Sequence, residues 1–276
     1  MTALVLSLFP GIDLLGRAFE EQGYCVVRGP ELFLGQDIRD FHPPRDVFWG
    51  VIGGPPCQDF SPLRRDPPTG NGQKMLAEFA RCVTEAQPEW WLMENVSRVP
   101  DVTIRGYNWQ RLDIDLKWFC DCSRLRHIQF GSKSGRLINV TKPVVTNQSV
   151  THTAALANDD RDWTELSHIQ GVSNIELPLF TVAGKKRAIG NGVPLPMGRA
   201  LASAVTAAYS VTSPDTQTDI FGVTWPGHRL CPCGCGRPVT GRATYAADEN
   251  GNTAACRKRA QRRRDKANPA IGGKNA

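Results

Sequence analysis

The chain has 276 residues, 41% of them hydrophobic and 22% charged, with a formal net charge of +6. That length suffices for one good α/β core and a small appendage, and no apolar run approaches the ~18 residues that a membrane span needs. Residues 224–276 carry 11 Lys/Arg against 3 Asp/Glu, so the whole positive excess lies in the tail and points to a polyanionic partner.

The N-terminal MTALVLSLFPG is apolar but has no basic leader, so it reads as a first strand, Leu4–Phe9, and not as a signal peptide. Pro10-Gly11 turns the chain into a helix from Asp13, a capping residue, to Gln22, with Leu14, Leu15, Ala18 and Phe19 on one face and Gly23 as its stop. Tyr24–Val27 is a second strand with Glu31 just past its end, and Val47–Ile52 is a third. Helical spacing follows over Lys74–Gln87, then a fourth strand, Trp90–Met93, ending in Glu94-Asn95. Strands alternating with helices predict an α/β fold with a mostly parallel, doubly wound sheet. Further on, Asp115–Phe119 and His127–Phe130 read as strands, and Leu195–Ser210 as a helix. Residues 131–162 read as a small irregular insert, 212–227 as a linker and 267–276 as a disordered end.

Three places carry candidate chemistry. Glu31 lies twenty residues after Gly11, the spacing at which a carboxylate reaches ribose hydroxyls. The glycines do not follow G-x-G-x-x-G, and Asp13 would repel a pyrophosphate, so a nucleoside cofactor without phosphates fits better. Cys57, in the GGPPCQDFS turn, and Glu94 each end a predicted parallel strand, which would bring a thiol and a carboxyl into one cleft. That pair is what conjugate addition to a pyrimidine requires, although Glu94 alone could be a capping carboxylate. In Ser123-Arg124-Leu125-Arg126-His127 the two arginines alternate, so on a strand they share a face and suggest an oxyanion or phosphate site.

In order, LSLFPGIDLLGRAF, GPE at 29–31, Asp37-Ile38, GGPPCQDFS, ENV at 94–96, CSRLR at 122–126 and IGNGVP at 189–194 resemble a DNA cytosine-5 methyltransferase of bacterial or phage type, over residues 3–210. The resemblance implies a Rossmann-like methyltransferase domain (residues 1–130 and 163–211) that uses S-adenosylmethionine, with 131–162 as a short target-recognition insert. It implies that Cys57 attacks carbon 6 of cytosine, Glu94 binds or protonates ring nitrogen 3, and Arg126 holds the carbonyl oxygen. Arg124 would support them, and Gln58 would fill the space of the flipped base, with Asn95 beside Glu94 in the same motif. On the cofactor side it implies Phe9, Gly11 and Ile12 around the bound molecule, Glu31 on its ribose, Asp37 and Ile38 at its adenine, Pro56 near its sulfonium and Asn191 bracing the loop. Asp13 stands where many members have glycine, and Cys122 where glutamine is usual; a Cys120–Cys122 metal pair reads as incidental. The expected partner is double-stranded DNA, and the expected protein a cytoplasmic monomer without membrane contact.

Beyond the resemblance, Cys231, Cys233, Cys235 and Cys256 have spacing suited to a tetrahedral Zn²⁺ site, and RKRAQRRRDK (257–266) follows. Residues 228–266 therefore read as a zinc-ribbon-like basic module, presenting Arg257, Lys258, Arg262 and Arg263 to phosphates. His228 could replace one thiol. Clustered tail thiols and five scattered ones suit a reducing compartment.

Overall fold

The computed structural model describes residues 3–62, 64, 66–142, 152–156, 159–172, 175–178 and 180–210, with the residue pairs 229–230, 238–239, 253–254 and 257–258. The chain divides into two compact units, Met1–Ala208 and Tyr209–Ala276. In the second unit Arg229–Leu230 pairs antiparallel with Pro238–Val239. Cys231, Cys233, Cys235, Cys256 and most of the basic run lie outside the described residues.

The first unit is built on strand β1 (Leu4–Leu8), followed by helix α1 (Leu14–Glu20) and strand β2 (Cys25–Arg28). Then come β3 (Gly50–Gly53), α2 (Asn71–Ala86) and β4 (Trp90–Asn95). The second half supplies β5 (Asn108–Asp115), β6 (Cys122–Ser123), β7 (Leu125–Ser132), β8 (His152–Thr153), α3 (Trp163–Ile169), α4 (Val182–Asn191) and α5 (Leu195–Ser210). The six-stranded sheet runs β2-β1-β3-β4-β7-β5, while β6 and β8 form a separate parallel pair. The first four strands are parallel, β7 runs antiparallel to β4, and β5 antiparallel to β7. The sheet is thus mixed, and the parallel expectation holds for its first half. No helix among the described residues is long and apolar enough to cross a membrane.

β4 is buried along its whole length, and its two tryptophans explain two glycines on the flanking strands. Trp90 is in register with Gly50 on β3, and a Cβ on Gly50 would meet the indole at 2.2 Å. Trp91 is in register with Gly131 on β7, where a Cβ would meet the ring at 2.4 Å. Each indole lies over a glycine backbone, a cross-strand pair that fills the layer. α2 closes one face with Leu76, Phe79, Cys82, Val83 and Ala86. These positions recur at the helical period that gives one apolar stripe.

Several boundaries differ from the sequence reading. The third strand begins at Gly50, not Val47, because Val47 is 47% exposed and lies outside the ladder. The predicted strand at Asp115–Phe119 is the end of β5 followed by a 3₁₀ turn over Leu116–Trp118. Asp115 makes that turn: its carboxylate accepts from Lys117 N at 3.2 Å and Arg124 N at 2.8 Å, diverting the chain from the ladder. Gly131 and Ser132, assigned to the insert, complete β7.

Candidate active site

β2 and β3 lie on opposite sides of β1, so the strand order reverses there, and the crevice at the carboxyl ends of such strands is where open α/β sheets bind ligands. The turn after β1 is unusual. Phe9, Gly11 and Asp13 all adopt left-handed backbone, at φ 53°, 55° and 53°. For a residue as bulky as phenylalanine this costs on the order of 1–3 kcal/mol and persists only where the surroundings over-determine it.

Two carboxylates hold the turn. Glu31 Oε2 accepts from Gly11 N at 2.8 Å, which leaves its second oxygen for a ligand. Asp13 caps α1, accepting from Gly16 N at 3.1 Å and from Ser7 Oγ at 2.7 Å. Arg28 Nε lies 2.9 Å from Asp13 Oδ2 but out of hydrogen-bonding alignment. Burial raises the Asp13 carboxyl above the usual aspartate range, against the lowering effect of Ser7 and Arg28. A Cβ on Gly16 would lie 2.2 Å from that carboxylate, so Asp13 at its position requires glycine three residues on.

An open cleft lies beside this turn, lined among others by Ser7, Phe9, Asp13, Gly53, Glu94 and Asn191. Of the predicted cofactor residues, Phe9 and Asn191 line it directly. Ile12 and Pro56 are half-buried on the adjoining turns. Ile38 is 5% exposed, packed into the core. Asp37 is bound by the Arg39 guanidinium and backbone, which hold its carboxyl down to about 2. Apolar walls, a neutral polar end at Ser7 and Asn191, and a carboxylate-bearing rim fit a nucleoside-type cofactor and lack the cationic side chains that a pyrophosphate would need.

The turn after β3 presents the thiol. Asn95 holds it from below, donating Nδ2 to Pro55 O at 3.0 Å while Oδ1 accepts from Val96 N at 2.9 Å. Cys57 is half-buried and Gln58 is exposed beside it. Burial raises the Cys57 thiol above its ordinary value, Glu94 raises it further, and Arg126 and Arg124 pull it back. All three charged groups therefore act on one sulfur. Glu94 is buried at the end of β4, with Oε1 2.9 Å from Arg126 Nε. Its Oε2 faces Gly54, whose missing side chain leaves room there. Glu94 caps no helix; it ends a central strand.

The two arginines both act on the Cys57 sulfur but bond different partners. Arg126 sits on β7 and reaches Glu94. Arg124 sits in the break between β6 and β7, is 6% exposed, and turns inward. Its Nη1 donates to Ala155 O at 2.7 Å, and its Nη2 to Gly190 O at 2.8 Å and Gly192 O at 3.3 Å. Burial pushes its guanidinium down to about 10, which still leaves it charged at neutral pH. Cys120 and Cys122 are free thiols, and among the described residues no group of three or more metal-ligating side chains converges.

Ser7, α3, α4 and Gln170 are missing from the sequence reading. A signal for α3 was present: Asp162 accepts from Glu165 N at 2.7 Å, and D-x-x-E is a helix-start pattern. Gln170 has no comparable signal, because its role comes from contacts distant in sequence.

The family model of the C-5 cytosine-specific DNA methylase matches residues 35–105, which contain the thiol turn and the β4 carboxyl. The type II methyltransferase M.HgiDI of Herpetosiphon aurantiacus is 35% identical over 37% of this chain and 37% of its own length. M.FnuDI of Fusobacterium nucleatum, also a type II methyltransferase, is 32% identical over 33% of this chain and 32% of its own. The chain therefore spans about a third of the length of these relatives. Two solved structures share the fold. Entamoeba histolytica methyltransferase EhMeth has a TM-score of 0.55 at 10% identity, over 76% of this chain and 99% of that one. S. pombe Dnmt2 methyltransferase has a TM-score of 0.54 at 11% identity, over 76% of this chain and 100% of that one. Over residues 35–105, which hold the thiol turn and the β4 carboxyl, the chain is similar to the C-5 cytosine-specific DNA methylases.

Proposed function

We propose that this chain transfers a methyl group from S-adenosylmethionine to carbon 5 of cytosine in double-stranded DNA. The observation that carries the reading is the convergence of Cys57, Glu94 and Arg126 from the ends of β3, β4 and β7. Carbon 5 of cytosine is a weak nucleophile. Addition of the Cys57 thiolate to carbon 6 breaks the 5,6 double bond and moves its electron pair toward carbon 5. The Glu94 carboxyl stabilises that polarisation at ring nitrogen 3, and the Arg126 guanidinium does so at the carbonyl oxygen, each in a buried site where charge is poorly screened. Bound S-adenosylmethionine would supply an electrophilic methyl group. Once carbon 5 has taken the methyl, loss of its proton to a base restores the double bond and expels the Cys57 sulfur as thiolate. The target ring must leave the duplex to reach a half-buried thiol, and exposed Gln58 is placed to occupy the vacated stack.

Phe9, Asn191 and Glu31 would hold the cofactor: the first two line the cleft, and Glu31 offers its free oxygen to ribose hydroxyls. Gly11, Ile12 and Pro56 shape the turns, while Asp37 and Ile38 would act at the adenine through backbone, since the side chains are engaged elsewhere. The similarity to type II methyltransferases supports a cytoplasmic setting. The tail's charge supports phosphate binding, and its thiol spacing supports zinc, which metal analysis of the purified protein tests.

Incubation with methyl-labelled cofactor and either duplex DNA or total tRNA tests the reading. Label should enter DNA as 5-methylcytosine. Label in tRNA alone, or in neither, contradicts it.

A further inference from the structure

α4 ends without a capping turn of its own. Gly192 N donates back to Ala188 O and Ile189 O, and the chain then leaves in an extended conformation at φ −70°, ψ 153°. The last carbonyls of a helix lack intrahelical donors and must be satisfied from elsewhere. Here the donors are two buried side chains. Gln170, fully buried just beyond α3, gives its amide Nε2 to Ile189 O and, at 3.3 Å, to Gly192 O. Arg124 gives Nη2 to Gly190 O and Gly192 O. Three carbonyls, at positions 189, 190 and 192, are thus held on both sides of Asn191, whose own side chain is left exposed at the cleft.

Gln170 is itself held in place. Its backbone carbonyl accepts from Leu195 N at 3.0 Å, at the start of α5. Gly171, at φ +74°, turns the chain immediately afterwards, and a Cβ there would meet Pro196 at 2.7 Å. The amide oxygen Oε1 has no partner, so the side chain is oriented by what its nitrogen does. An apolar residue of the same size would fill the space but remove one donor from each of two carbonyls, leaving Ile189 O to Gly192 N and Gly192 O to Arg124.

We propose that Gln170 is a positioning residue for the cofactor: it fixes the carbonyls flanking Asn191 and thereby sets that side chain in the cleft, with Arg124 as its counterpart on the side of Cys57 and Glu94. The inference rests on Asn191 belonging to the cofactor site. It assigns a function to a segment, residues 163–172, that contributes no atom to the cleft lining.

The test is calorimetric titration of the full chain with S-adenosylhomocysteine. Gln170→Met keeps the volume and removes the donor, so affinity should fall about tenfold. In turnover assays KM for the cofactor should rise by a similar factor with kcat nearly unchanged. The decisive arm is a double-mutant cycle with Asn191→Ala. If Gln170 acts through Asn191, the second substitution should add little once the first is made. Additive losses, or unchanged affinity in Gln170→Met, overturn the proposal. If Gln170→Met does not fold, Gln170→Asn, whose amide is one methylene short of the carbonyls, answers the same question. Failure of both to fold makes Gln170 a core residue only and also overturns it. Absence of binding by the wild-type chain instead refutes the cofactor reading on which the inference rests.

Discussion

The two halves of the sheet place functional groups in different ways. In the parallel half, Phe9, Glu31, Cys57 and Glu94 follow or end β1, β2, β3 and β4 within a few residues, so strand order alone brings them together. In the second half, Arg126 is on an antiparallel strand, while Arg124 lies in a break between strands and Gln170 beyond the end of a helix. These arrive by tertiary contact: Arg124 bonds residues 31, 66 and 68 positions away. The first half should therefore tolerate change except at the named residues, whereas the second depends on a buried polar lattice in which each member supports the others.

The largest effect should come from the residue that joins the halves. Arg126→Ala removes the cation 2.9 Å from Glu94 and one of the two charges that lower the Cys57 thiol. We expect kcat/KM for DNA to fall by roughly 10²-fold, with cofactor affinity unchanged by calorimetry. An equal loss of cofactor affinity would mean that the halves are not separable in this way.

A smaller effect is expected from Gly16→Ala, which drives a methyl group into the Asp13 carboxylate. Overpacking of this kind costs about 1–3 kcal/mol, read from urea unfolding. Asp13→Gly should remove the clash, so the double variant should recover part of the loss. If the two losses simply add, Asp13 and Gly16 are not coupled and the turn has another determinant.

The third effect is on the pH profile of the unaltered chain. The Cys57 thiol is raised above its ordinary value by burial and by Glu94, so the neutral thiol prevails at pH 7. The thiolate fraction, and with it kcat/KM, should rise with pH from 7 to 9 by up to about tenfold per unit. A flat profile would mean that thiolate formation does not limit the free enzyme.

The same contrast explains what the sequence disclosed. Strands followed by glycine, proline or a lone acidic residue are local patterns, and β1, β2, β4, α1, α2 and α5 were all legible from them. Cys57 and Glu94 were legible because strand ends in an α/β sheet lead to one crevice. Arg124 and Arg126 were visible as a pair, but the partners of Arg124 were not. Only the Asp115 turn, which takes Arg124 N as a donor, shows that β7 begins after Arg124. Asp13 looked like a simple helix cap; its cost to Gly16 depends on a left-handed φ that no pattern of residue types encodes. Gln170 sits next to an ordinary helix-stop glycine, and nothing local distinguishes it.

Cys57, gathered with Glu94 and Arg126, is expected to form the bond to the target base. A duplex with 5-fluorocytosine at the target position tests it most directly, because fluorine cannot leave as a proton does and the covalent adduct accumulates. With S-adenosylmethionine present, the wild-type chain should run as a denaturation-resistant protein–DNA complex, with the modified peptide containing Cys57, and Cys57→Ser should form none. An adduct that survives in Cys57→Ser, or its absence from a wild-type chain that methylates the unmodified duplex, would contradict the account.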